Sequence, residues 1–149
     1  MRELRVSAIE NGTVIDHIPV ENIFTLVSVL NLRDCTEEVL IGTNLRSGKQ
    51  QKKGVVKIAN KILSKEELDK LGILADGAKV NTIENFEVKE KRTITMPGMV
   101  EGIVTCFNSN CITHEEPVTS RFTVVCKEPL RLRCQYCEKQ MEKETIELR

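Results

Sequence analysis

The chain has 149 residues, of which 40% are hydrophobic and 30% charged, so it can pack one domain or two small ones and is not generally disordered. Lys and Arg together number 22, as do Asp and Glu, and this zero net charge argues against a nucleic-acid binder that relies on phosphate attraction. The sequence has neither the apolar run of roughly 18 residues that spans a bilayer nor a secretory signal core, so we expect a cytoplasmic protein.

The first predicted elements are two strands and a helix. Apolar and polar residues alternate over residues 4–9, Asn11-Gly12 is a turn signal, and residues 13–18 (TVIDHI) predict a second strand. Residues 20–32 carry apolar side chains at helical spacing, but the apolar stripe is wider than one face. Either a dimer contact or a deep core position would bury the second side.

The following elements complete a mixed α/β pattern. Residues 38–43 and 55–58 predict strands, joined by a polar loop over residues 44–54. A capping-box motif at Ser64 opens a short helix, and alternation over residues 79–88 predicts one last long strand. The order strand–helix–strand–strand–helix–strand, with an additional hairpin strand near the start, is typical of a ferredoxin-like α/β sandwich.

A change of composition separates the last third of the chain. Residues 90–102 combine charges with a Pro-Gly pair and a second Gly, as linkers and hinges do. Beyond them, residues 103–149 predict short strands around turns, with too few apolar side chains for an independent core. We therefore predict two domains, residues 1–97 and 98–149, in a chain of the α+β class.

Four of the six cysteines have the spacing of a metal site. Cys106-x4-Cys111 and Cys134-x2-Cys137 are separated by 22 residues, and zinc prefers four tetrahedral ligands carried on two such knuckles. A redox interpretation of the second pair would leave the first pair unexplained. Because four thiolates leave no open position for catalysis, we predict one structural Zn²⁺ in a small all-β, zinc-ribbon-like domain.

The two remaining cysteines and His114 are not expected to bind the metal. Cys126 lies in a strand-like run and is expected to fill core, and Cys35 is expected to be an ordinary free thiol. His114 follows Cys111 by three residues and could substitute as a ligand, but a hydrogen-bonded or surface histidine is the expectation.

The dipeptide Asp16-His17 lies inside an apolar strand and leaves three interpretations open. Asp16 could orient His17 as a general base, although no nucleophile stands out. Both side chains could instead be satisfied by nearby backbone groups. In the third interpretation, Lys57 and Lys91 bind the phosphate groups of a ligand and Asp16 accepts hydrogen bonds from its sugar hydroxyls. Sequence spacing does not choose among them.

Five motifs in order along the chain resemble a single family. They are GTVIDHIP at residues 12–19, GTNLRSGK at 42–49, VKIAN at 56–60, CFNSNCITHEEPV at 106–118 and CQYCEK at 134–139. The sequence is similar, nearly end to end, to the regulatory chain of aspartate carbamoyltransferase, the enzyme of the committed step of pyrimidine synthesis.

The resemblance implies a regulatory chain without catalytic activity of its own. Its N-terminal domain is expected to bind nucleotide and to form a regulatory dimer, and its C-terminal zinc domain to dock on the catalytic chain. In the family CTP and ATP compete for one site, and UTP can reinforce CTP. Carried onto this sequence, Asp16 and Lys57 would hold ribose and base, and Lys91 would hold phosphate with His17 close by.

The same resemblance implies how the base is recognised. Main-chain groups near Ile9 and at Phe86 would read the exocyclic amino group that cytosine and adenine share. The walls of this effector site would be formed by Val6, Ala8, Ile9, Val14, Lys53, Val55, Asn81, Ile83 and Val88.

Some features depart from the family pattern. Ser7 stands where an acidic residue is expected, Phe86 stands where Tyr is common, and the sequence starts a few residues late. The first and third departures weaken the expectation that UTP acts together with CTP.

Two rival functions are a zinc-ribbon adapter for nucleic acids and a small phosphotransfer enzyme or acyl-phosphate hydrolase that uses Asp16 and His17.

Overall fold

The computed structural model describes residues 9–48 and 51–148. The chain forms two compact units, Met1–Thr95 and Met96–Arg149. No helix in the described ranges combines the length and the apolar character needed to cross a membrane.

The first unit is a five-stranded antiparallel sheet with two α-helices. In chain order the elements are β1 (Gly12–Ile18), α1 (Ile23–Val29), β2 (Val39–Ser47), β3 (Gln51–Ala59), α2 (Lys65–Leu74), β4 (Lys79–Glu84) and β5 (Glu87–Thr93). The strands follow the order β2-β3-β1-β4-β5 across the sheet. Taken without β5, this is the βαββαβ arrangement of a ferredoxin-like sandwich, which confirms the predicted fold class.

Both helices pack on the same face of this sheet. Ile15 of β1 and Val56 of β3 are fully buried in one cluster with Leu26 of α1 and Leu71 of α2. The alternation of strand side chains therefore leaves the opposite face of the sheet, called the outer face below, without a covering helix among the described residues.

The helix predicted over residues 20–32 is shorter than its apolar stripe. A 3₁₀ turn (Val20–Asn22) precedes α1, and a second one (Leu32–Asp34) follows it. Asn31 takes a left-handed φ of 57° between them and ends the α-helical run. The capping box that begins α2 is confirmed, since the Glu67 backbone N–H donates to Ser64 Oγ at 3.2 Å and the Ser64 N–H donates to Glu67 Oε1 at 2.9 Å.

Two sequence predictions are wrong in detail. The polar loop predicted over residues 44–54 is mostly the distal part of the β2–β3 hairpin, in which Leu45 pairs with Lys53. The single strand predicted over residues 79–88 is instead β4 and the start of β5, because Asn85 and Phe86 both take left-handed φ values and form a turn. The strand predicted over residues 4–9 lies outside the described residues except for Ile9, which is buried and precedes β1.

The second unit is built from short strands, as predicted. The elements are β6 (Met99–Glu101), β7 (Val104–Thr105), β8 (Arg121–Lys127), β9 (Leu130–Cys134), β10 (Gln140–Glu142) and β11 (Glu147–Leu148). One sheet has the order β10-β9-β8-β6, and β11 pairs with β7. The small apolar interior of the unit includes Phe122, Leu132, Val100 and Met141.

Candidate functional site

The four predicted cysteine ligands converge in the second unit. Their Sγ atoms all lie within 4.8 Å of one another, with Cys106 and Cys137 3.8 Å apart and Cys111 and Cys134 3.7 Å apart. A tetrahedron of thiolates at about 2.3 Å from zinc has edges of about 3.8 Å, so these spacings match a single ion. Three of the four side chains are buried, and Cys137 is partly buried.

Local backbone geometry holds both knuckles in place. Cys111 N–H donates to the Asn108 carbonyl at 3.0 Å, which closes the first knuckle. Glu138 takes a left-handed φ of 64° and donates its N–H to the Cys134 carbonyl at 2.9 Å, which closes the second. In addition, the Thr113 hydroxyl donates to Cys111 Sγ at 3.2 Å and fixes the direction of that ligand.

The charge balance of this cluster calls for a cation. Burial raises the pKa of the Cys106 thiol to about 12 and also raises the pKa of Cys134. Burial acts in the same direction on Cys137, but hydrogen bonds from the Lys139 backbone and from Asn108 outweigh it and lower its pKa to about 7. Four thiolates therefore coexist here only around a metal.

The plainer prediction for His114 is confirmed. Its Nε2 lies 2.8 Å from the Cys106 carbonyl oxygen, to which it donates a hydrogen bond.

The chemistry of four sulfurs with matched spacings fits one structural zinc ion with a closed coordination shell. Cys35 is a free thiol that packs against the core of the first unit, as expected. Cys126 is also a free thiol outside the cluster, but it is only partly buried, so the expectation that it fills core is wrong.

Most of the other predicted site residues share the outer face of the first unit's sheet. Residues directly opposite each other on neighbouring strands point to the same face. The register pairs Lys57 with Val14, Val14 with Asn81 and Asn81 with Lys91, so these four side chains form one row across four strands. Residues of the same face that flank this row are Asp16, Lys53, Val55, Ile83 and Val88.

A β-bulge shapes the end of β1 on this face. The β1–β3 register shifts between Ile15 and Ile18, and His17 takes a left-handed φ of 62°. Its backbone N–H donates to Asp16 Oδ1 at 2.7 Å, which stabilises this rare conformation locally. The second partner of the carboxylate is Lys53, whose Nζ lies 2.9 Å from Asp16 Oδ1.

An open cleft of about 450 Å³ lies next to the bulge. Burial lowers the pKa of nearby Lys57, and the negative charge of Asp16 opposes part of that change. The cleft is lined by Asp16, His17, Lys79, Asn81, Lys91, Arg92 and Thr93. Positive side chains thus predominate around a single carboxylate.

The turn between β4 and β5 lies at the other end of the outer face. Phe86 exposes 64% of its surface, while its backbone N–H donates to the Glu10 carbonyl at 2.9 Å. The N–H of Asn85 donates to Asn11 Oδ1 at 3.2 Å. The turn is therefore fastened to the segment that follows Ile9, and the remaining two predicted wall residues, Val6 and Ala8, lie outside the described residues.

The geometry does not support a general base at His17. Its Nδ1 lies 3.6 Å from Asp16 Oδ1, beyond hydrogen-bond distance, and the carboxylate is already engaged by Lys53. The hydroxyl of Thr93, which also lines the cleft, accepts a hydrogen bond from Lys79 at 3.3 Å. A cationic cleft without an assembled nucleophile and base is suited to binding an anion.

Comparison with known proteins agrees with this two-part organisation. The family model for the allosteric domain of the aspartate carbamoyltransferase regulatory chain matches residues 4–95, and the model for the metal-binding domain of the same chain matches residues 98–147. The chain belongs to the aspartate carbamoyltransferase regulatory chain family. Its members are regulatory, not catalytic, subunits, and the metal-binding match accords with the four-cysteine cluster.

Relatives of the regulatory chain family match over almost the full length. The aspartate carbamoyltransferase regulatory chain of Phocaeicola vulgatus is 46% identical over 145 residues, which covers 97% of this chain and 94% of the relative. The regulatory chain of Pyrococcus furiosus is also 46% identical, over 148 residues that cover 98% of this chain and 97% of the relative.

Three residues of the cleft, Lys79, Arg92 and Thr93, were missed by the sequence reasoning. Lys79 and Thr93 face each other across β4 and β5, and the Lys79 ammonium donates to Thr93 Oγ1 at 3.3 Å. Lys79 could have been found, because it precedes Asn81 by two residues in an alternating strand and so shares its face. Thr93 follows Lys91 by two residues and shares its face in the same way, but the predicted strand ended at residue 88, so β5 was not recognised as a strand.

Proposed function

We propose that this regulatory chain binds CTP and ATP in mutual competition on the outer face of its N-terminal domain, residues 1–97, and conveys feedback control of pyrimidine biosynthesis to catalytic subunits. The observation that carries the proposal is the single row of Lys57, Val14, Asn81 and Lys91 beside Asp16. It joins an apolar floor, a carboxylate for sugar hydroxyls and cations for phosphates, the three chemistries that a nucleotide needs.

The roles of the individual residues are those that the family resemblance implies. Asp16 and Lys57 hold ribose and base, and Lys91 holds phosphate with His17 beside it. The exocyclic amino group shared by cytosine and adenine meets main-chain carbonyls near Ile9 and at Phe86, whose own N–H is already engaged by Glu10. Backbone recognition suits a chain with only 3% aromatic residues, since few rings are present for stacking.

Calorimetric titration of the zinc-loaded full chain with CTP, followed by ATP as competitor, tests the effector site. We expect saturable, mutually exclusive binding that Lys91→Gln weakens at least several-fold. Lys65→Gln is the control, because Lys65 lies on α2 beneath the other face and pairs with Asp69. Absence of binding by both nucleotides would refute the effector role.

A nucleotide can control a catalytic partner only if it binds with different affinity to the two conformational states of the regulatory–catalytic complex. A coupling free energy of roughly 1–3 kcal/mol would change affinity by 5- to 150-fold. UTP is expected to add little, given Ser7. Sigmoidal substrate kinetics of the reconstituted complex, measured with CTP and with ATP, check the sign and size of this coupling.

The proposed regulatory dimer uses the β2 side of the N-terminal domain. Phe24 of α1 exposes 67% of its surface and Ile41 of the edge strand β2 exposes 44%, a large apolar exposure for a neutral protein. The other edge strand, β5, exposes every residue and is mostly charged, which disfavours pairing there. Sedimentation should give a dimer that Phe24→Ser converts to monomer, whereas Phe86→Ser, at an equally exposed ring, should leave it intact.

The zinc domain, residues 98–149, is proposed to dock on the catalytic chain in the cytoplasm. The contacts assigned are residues 108–115 and 139–144, and the exposed Ile112 and neighbouring Phe107 supply an apolar surface beside the first knuckle. Cys111→Ser should lose zinc and fail to co-elute with catalytic trimers, while Cys126→Ser, outside the cluster, should do neither. Co-elution of a zinc-free Cys111→Ser chain would overturn this docking role.

A further inference from the structure

Lys79 is a cation of the outer-face cleft whose charge has no carboxylate partner among the described residues. The register places it directly across from Asp16 on β1 and from Thr93 on β5. Asp16, however, is engaged by Lys53 at 2.9 Å, and the Lys79 ammonium instead donates to the neutral Thr93 hydroxyl at 3.3 Å. The hydroxyl orients the ammonium without neutralising it.

Lys91 is the second such cation. It lies opposite Asn81, one row along from Lys79, so the two lysines are diagonal neighbours on one face, with α-carbons roughly 7–8 Å apart. Both line the same cleft with His17. Arg92, which also lines it, has Glu90 at 3.8 Å as a partner.

Two adjacent uncompensated ammonium groups repel each other, and an anion long enough to touch both removes that repulsion. A monophosphate offers one group for both lysines to approach, whereas a chain of phosphates offers each ammonium its own phosphate and carries more negative charge. The cleft is therefore better matched to a polyphosphate than to a monophosphate.

We propose that Lys79 is a second phosphate contact that makes the effector site selective for nucleoside triphosphates over monophosphates. The inference rests on the proposed effector function and deepens it by assigning the residue that senses phosphate-chain length. In this arrangement Lys91 and Lys79 contact successive phosphates. The hydrogen bond to Thr93 holds the Lys79 ammonium at the cleft before the ligand binds.

The test is calorimetric titration of the zinc-loaded full chain, wild type and Lys79→Gln, with CTP, CMP and inorganic tripolyphosphate. Glutamine retains N–H donors near the end of the side chain but removes the charge. We expect the CTP affinity to fall about 3- to 10-fold, as for a half-solvated charged contact, and the CMP affinity to change less than 2-fold. The loss for CTP should shrink as salt is raised. Lys65→Gln, which removes a charge from α2, should change neither affinity.

The three ligands separate failure of this inference from failure of the proposed function. Equal losses for CTP and CMP, or no loss for either, would overturn the role of Lys79 while leaving the effector site standing. Tripolyphosphate binding that depends on Lys79, without any binding of CTP, would support the polyphosphate contact and refute the nucleotide function. Absence of binding by all ligands would overturn both.

Discussion

The ammonium of Lys53 lies 2.9 Å from Oδ1 of Asp16, and both side chains are about three-quarters removed from solvent, with 22% and 26% of their surfaces exposed. This pair neutralises the one carboxylate of the cleft, which would otherwise repel phosphates, and it holds Asp16 on the face where ribose hydroxyls are expected. The contact reaches from β3 to β1, so the hairpin and the bulge are positioned together.

A double-mutant cycle on this pair tests its part in nucleotide binding. Lys53→Met should weaken CTP binding several-fold, because it leaves the Asp16 charge uncompensated beside the phosphates. In Asp16→Asn, the further change Lys53→Met should cost much less, so the two effects should be coupled by up to about 1 kcal/mol. Calorimetry at low and high salt measures the four affinities, and strictly additive losses would contradict the proposed compensation.

The capping box at the start of α2 should contribute measurable stability. Ser64→Ala removes the acceptor of the Glu67 N–H and should lower the free energy of unfolding by about 1 kcal/mol. For a domain of this size that corresponds to roughly 4–8 °C in Tm, read by circular dichroism. Ser28→Ala, at an exposed position in the last turn of α1, should have an effect within about 0.5 kcal/mol. Equal effects of the two substitutions would contradict the capping role.

The capping box was predictable because its two partners are three residues apart in the sequence. The same holds for the zinc site, where two short knuckles carry all four ligands and the alternatives leave cysteines unexplained. In each case the decisive contact lies within a few residues or follows from the coordination chemistry of one ion.

The turn at Asn85 and Phe86 was not predictable in the same way. A left-handed Phe is disfavoured, and no Gly marks the position. The turn forms because Asn11 and Glu10, more than 70 residues earlier, accept hydrogen bonds from the two N–H groups. The β2–β3 hairpin was missed for a related reason: apart from Leu45, its distal residues carry no apolar pattern, so pairing, and not burial, defines the strands.

Gly54 of β3 packs tightly against Ile23 of α1, and this contact provides a second test of stability. A Cβ added at Gly54 would lie 2.5 Å from Ile23 Cδ1. Gly54→Ala should therefore cost about 1–3 kcal/mol through overpacking, and Ile23→Val alone about 0.5–1.5 kcal/mol through the lost methyl group. Because valine lacks the clashing Cδ1, the double variant should be more stable than the sum of the two losses predicts. Chemical denaturation of all four proteins gives the coupling, and simple additivity would show that the helix shifts instead.

Zinc affinity should depend on Thr113 although it is not a ligand. Its hydroxyl donates to Cys111 Sγ at 3.2 Å in a buried position, which orients the thiolate and disperses part of its charge. Thr113→Val preserves the shape but removes the donor, and we expect zinc affinity to fall at least roughly 10-fold. Competition with a chromogenic chelator measures this in the full chain. Thr123→Val is the matched control, since Thr123 Oγ1 contacts Gln135 and no cysteine. If both variants retain wild-type affinity, the hydroxyl serves packing alone; if both lose it equally, the loss reflects general destabilisation of the domain and not the orientation of Cys111.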